Sequence, residues 1–121
     1  MNMNQTFLLA LTVLFSTFAY SQTIGNKPIR EINVDYLEIV EIQRMLSTKI
    51  SIIVDYGQPT KLMSIRAETL LDENGREKEF NSLIDALNFM SIYGYEFLSI
   101  VQNADPAMIA KAYLLKKKVK P

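Results

Sequence analysis

The stretch "NFMSIYGYEFLSIV", Asn88 to Val101, joins two incompatible periods at a single glycine. Leu83, Ala86, Leu87 and Met90 fall at i, i+3, i+4 and i+7, one stripe of an amphipathic helix. Asp85 and Asn88 lie opposite, with Ile92 between them, and Phe89 and Tyr93 flank the stripe. Tyr95 to Gln102 then alternates with the period of a strand. Gly94 stands where the helical pattern stops, the position at which a left-handed residue commonly turns the chain out of a helix. A strand that follows at once folds back beneath the helix just completed. Asn81 or Ser82 supplies the N-cap, and Asp85 sits in the first turn, where the helix dipole favours a negative charge. Apolar residues occur at both parities of the strand, with Tyr95, Phe97 and Val101 against Leu98 and Ile100. Two apolar faces predict an interior strand.

Working outward, Tyr36 to Ile42 is short and β-rich, and Lys49 to Tyr56 alternates cleanly, with Ile50, Ile52, Val54 and Tyr56 on one side. A hairpin through Gln43 to Thr48 joins them, its loop unusually apolar because of Met45 and Leu46. Gly57-Gln58-Pro59-Thr60 breaks the chain before a third run, Lys61 to Leu71, with one dry and one wet face. Asp72-Glu73-Asn74-Gly75 is the strongest turn signal, since Asn-Gly tolerates positive φ at both central positions. Arg76 to Glu79 predicts a brief return strand. Met108 to Val119 resumes strand character, and Lys116, Lys117, Lys118 and Lys120 suit an exposed edge or a frayed terminus. The predicted fold is α+β: an antiparallel sheet of four or five strands in the order β-β-β-α-β-β, with one helix packed on one face. It occupies residues 36–119, behind a flexible lead-in at 22–35 that shows no sustained period.

Residues 1–21 differ in kind. They hold no charged side chain, and Phe7 to Ala19 is almost unbroken apolar sequence. Ala19 and Ser21 place small residues at −3 and −1 of a cut before Gln22, the pattern of a secretory signal peptide, although no Lys or Arg precedes the run. The polar residues from Ser21 onward arrive too early for a spanning helix, which needs roughly 20 apolar residues. Export to the periplasm or the cell exterior is the expectation, with no stable membrane span after cleavage.

Composition excludes several chemistries. With no Cys there is no disulfide, thiolate nucleophile, thiolate metal site or lipid-anchoring cysteine. With no His, the usual general base near neutral pH and the commonest transition-metal ligand are absent. Thirteen basic and thirteen acidic residues balance, so no global field recruits nucleic acid. The Asp72 turn is no EF-hand loop: Arg76 stands at the fifth position and the glycine comes two places early. Glu38, Glu41, Asp55, Glu68 and Glu96 are read as solvated strand positions rather than as a glycosidase-like pair.

At "FNSLIDALNFMSIYGYEFLSI", together with "YLEIV" and "YLLKKK", the chain resembles a family of small secreted proteins of unknown function from Bacteroidetes-type bacteria. More distantly it is similar to bacterial domains of unknown function that share a helix, Gly-Trp-Glu, a strand and a closing Lys/Arg-rich strand. The resemblance spans roughly Tyr36 to Lys118 and departs at Tyr95, where the distant family usually has Trp. It implies the same architecture and export, and assigns no catalytic residue.

One helix covers one side of such a sheet, so the other side is either polar or an interface. The expectation is a non-enzymatic module without cofactor, catalytic residue or metal. It would bind a protein or cell-envelope partner through an uncovered sheet face or edge, with homodimerisation as one form of that contact. The alternative is a small-ligand or substrate site between helix and sheet. Tyr93, Tyr95, Glu96 and Ile92 are the candidate binding residues.

Overall fold

The computed structural model describes residues 2–4, 21–59, 68–101 and 111–119. The apolar run Phe7 to Ala19, most of the third predicted strand and the start of the last one lie outside the described residues. Short strands β1 (Thr23–Ile24) and β2 (Lys27–Pro28) lead through a 3-10 turn at Ile29–Glu31 into the hairpin of β3 (Tyr36–Gln43) and β4 (Ile50–Asp55). Strand β5 (Leu70–Leu71), helix α1 (Leu83–Ile92), β6 (Tyr95–Val101) and β7 (Ala112–Lys117) follow. The main sheet is antiparallel and four-stranded, in the order β4-β3-β7-β6, and a small sheet runs β2-β1-β5. The fold is α+β, as the sequence predicts.

The helix begins and ends as its sequence requires. Ser82 is the N-cap, its Oγ accepting from the Asp85 N–H at 3.3 Å, while the Asp85 carboxylate accepts from the Asn81 N–H at 2.9 Å. Ala86 and Met90 are fully buried, and Leu83, Leu87, Phe89 and Tyr93 pack around them. Gly94 takes φ +89°, a conformation that L side chains adopt at a cost of roughly 1–2 kcal/mol, and its N–H donates to the Ser91 carbonyl. Beyond it the chain enters β6 directly.

Register fixes which side chains share a face. Leu37 and Ile39 of β3, Ile50, Ile52 and Val54 of β4 and Leu115 of β7 join Tyr95, Ala86, Met90, Leu70 and Phe80 in one core. The helix and the small sheet therefore cover the same side of the main sheet. On the opposite side Val40, Ile42, Ile53 and Leu114 are partly buried and Ala112 is buried, with Glu38, Asp55, Glu96 and Lys116 around them. Ser51 is buried on this side, and its Oγ has no hydrogen-bond partner among the described residues.

Four sequence expectations are corrected. Of the two readings of the lysine-bearing last strand, an edge or a frayed terminus, the edge is corrected: β7 lies between β3 and β6. Strand β6, expected inside, is an edge of the main sheet among the described residues. The segment 22–35, expected to be loosely held, delivers Ile24, Ile29 and Ile32 to the core, each at most 5% exposed. Its isolated isoleucines show no period because single residues of two-residue strands and a 3-10 turn make the contacts. Finally, Asn74 does not take positive φ; the turn is a three-residue loop with Gly75 alone left-handed. Asp72 organises it by accepting from the N–H groups of Asn74 and Arg76.

Candidate functional site

The four candidate residues flank the glycine turn, Ile92 and Tyr93 before Gly94 and Tyr95 and Glu96 after it, and they go to different places. Tyr95 is a core residue, 1% exposed. Its hydroxyl donates to the Val34 carbonyl at 2.9 Å and accepts from the Val34 N–H at 3.3 Å, tying the segment before β3 to the start of β6. Tyr93 packs its ring on Phe89, centroids 5.1 Å apart, and its hydroxyl donates to Gln22 Oε1 at 2.8 Å. Glu96 is exposed on the far side of the main sheet, opposite Lys116 in register. Ile92 is exposed at the end of the helix and shares with Tyr93 a groove closed by the end of β7. No pocket between helix and sheet among the described residues gathers Tyr93, Tyr95 and Glu96.

What sequence reasoning missed lies on the same strand. Phe97, Leu98 and Ile100 are 49%, 50% and 59% exposed. They flank a β-bulge: the register of β6 on β7 shifts between Phe97 and Ser99, leaving Leu98 as the extra residue. Because the shift exchanges parity, Phe97 opposite Leu115 and Ile100 opposite Tyr113 stand on one face, while Glu96, Ser99 and Val101 stand on the other. The other side of β6 is unpaired among the described residues. The Lys118 N–H reaches the Gly94 carbonyl, and the antiparallel alternation from there turns the N–H groups of Tyr95 and Ile100 away from β7. The opposite margin of the sheet is protected: β4 exchanges backbone hydrogen bonds with Phe80 through Ile50, and the Val54 N–H donates to the Glu68 carbonyl.

Electrostatics elsewhere are modest. Glu38 lies opposite Asp55, and its carboxyl is held above the usual range, chiefly by burial and then by the Asp55 charge. The Tyr113 phenol is also raised, by burial and by its neighbour Glu41, whose carboxylate accepts its hydroxyl at 3.4 Å. Arg44 pairs with Glu79 at 2.9 Å and Glu77 at 3.6 Å across a hollow lined entirely by charged side chains. Among the described residues no group of three acidic side chains is placed to hold a metal ion. No helix among them is long and apolar enough to cross a membrane.

Comparison with known proteins returns no matching family model, no matching curated protein and no matching solved structure.

Proposed function

We propose that this chain is an exported, non-enzymatic interaction module whose β6 edge receives an extended segment of a partner protein. The observation that supports the reading is the coincidence of a sheet margin unpaired among the described residues with three half-exposed apolar side chains on one short strand. A sheet edge offers main-chain N–H and C=O groups to an incoming strand, and alternate side chains provide selectivity. Edges that avoid such pairing commonly display lysine or proline; β6 has one charged residue, Glu96. The bulge at Leu98 divides the edge into two short runs. It opposes indefinite stacking of copies while leaving room for a single guest strand.

The test places a photo-crosslinking residue at Ser99 on β6 and, as a control, at Asn88 on the outer face of the helix, in cells that export the protein. A discrete adduct from position 99, absent from position 88 and lost when Ile100→Lys is added, is the expected result. Adducts from position 88 alone, or adducts from 99 indifferent to Ile100→Lys, would overturn the reading. An adduct at twice the chain mass would identify the guest as a second copy.

A further inference from the structure

The groove at the helix end combines apolar walls with a rim of one charge sign, whereas the hollow beside Phe80 and Phe89 mixes Lys78 with Glu79 and Asp85. It measures about 580 Å³, within the roughly 300–1,000 Å³ typical of small-molecule sites. Its walls include Ile92, 79% exposed, and Val119, 82% exposed. Gly94 lies in its lining, where a Cβ would meet nothing within 4 Å. Arg30, Lys117 and Lys118 supply three positive charges, and no carboxylate among the described residues lines the groove.

Among the described residues no carboxylate pairs with these cations. Among the described residues the ion pairs are those of Arg44, on a different hollow. The Lys117 ammonium donates to the uncharged Asn33 Oδ1. Lys118 donates to Ser91 Oγ at 2.6 Å and lies 3.4 Å from the Ser91 carbonyl, covering the negative end of the helix on the groove side. Both ammonium groups are thereby held in place with their charge and further N–H donors available. Arg30 keeps a whole guanidinium fork, the geometry that grips a carboxylate with two parallel hydrogen bonds.

We infer that this groove binds a single-chain amphiphilic anion, an alkyl carboxylate whose head meets Arg30, Lys117 and Lys118 and whose chain lies against Ile92 and Val119. The site is separate from the β6 edge and does not depend on it: a ligand here touches the turn before β6 rather than its free margin.

The probe is dodecanoate below its micellar concentration, titrated into the isotope-labelled protein and followed by amide chemical shifts, with dodecanol and dodecyltrimethylammonium in parallel. Saturable shifts concentrated on Ile92 to Gly94 and Lys117 to Val119 are expected, with dodecanol at least about tenfold weaker and the cation weaker still, since losing a hydrogen bond between charged groups weakens binding by roughly tenfold or more. Arg30→Gln, at an exposed position whose side chain has no partner among the described residues, weakens dodecanoate about tenfold and leaves dodecanol unchanged. Ile92→Asp weakens every chain, whereas Ile100→Lys changes nothing. Equal affinity for the three amphiphiles, shifts confined to β6, or association with phosphatidylglycerol vesicles but not with monomeric dodecanoate would each overturn the assignment.

Discussion

Strands β6 and β7 pair with each other along their length, yet live in different environments. On β7, Ala112, Tyr113 and Leu115 are at most 5% exposed, although the strand ends in lysines. On β6, Phe97, Leu98 and Ile100 are about half exposed, although only one of its residues is charged. Position in the sheet, not composition, decides which is buried. The lysines of β7 are tolerated because they lie at its end, where Lys117 leans toward Asn33 and the following Lys118 toward Ser91. The apolar residues of β6 are exposed because no strand among the described residues flanks its outer side. An edge so apolar costs solubility and therefore suggests use.

That contrast can be broken most forcefully by paired truncations. Leu115→Ala empties a fully buried site and is expected to cost about 2–5 kcal/mol, whereas Ile100→Ala should cost less than about 1 kcal/mol. Urea denaturation of the two variants checks this, and similar losses would mean that β6 is as enclosed as β7. Next in size is Tyr95→Phe. It leaves the ring in the core but removes the hydroxyl shared by the Val34 carbonyl and N–H, at an expected cost of about 1–2 kcal/mol. Thermal melting measures that loss, and a silent substitution would detach the start of β6 from the segment before β3.

The smallest effect concerns Glu38, which sits opposite both Leu114 of β7 and Asp55 of β4. Its folded carboxyl is raised above its unfolded value, by burial first and by Asp55 second, so the native state holds the proton more firmly. The stabilisation this provides is present at low pH and is lost as pH rises from the ordinary carboxylate range through the raised folded value. Glu38→Gln should therefore gain relative to wild type between about pH 3 and about pH 7, a modest change measurable by denaturation at both values. A variant that loses ground on the same rise would show the sign to be wrong.

Much of the fold is legible in the residues themselves. Ser82, the apolar helical stripe and Gly94 mark the helix through local chemistry, and the alternation from Ile50 to Val54 marks a strand with one buried side. The edge is not legible in that way. Apolar residues at both parities of β6 suggest two buried faces, but a bulge produces the same pattern by exchanging parity midway, so that Phe97 and Ile100 share a face. Strand order is a long-range property: nothing near Tyr95 or Lys116 says which strand lies outside. Among the candidate residues, Tyr93, Tyr95 and Glu96 follow one another in sequence, and strand pleating together with the turn at Gly94 sends them to a groove, the core and the far face.

Amide hydrogen exchange of the isolated protein tests the edge most directly, because it reads the pairing of each backbone group. The outward N–H of Ile100 should exchange orders of magnitude faster than those of Tyr113 and Leu115 on β7, which are bonded within the sheet. Protection of Ile100 equal to theirs would place another strand on that margin and remove the proposed binding surface.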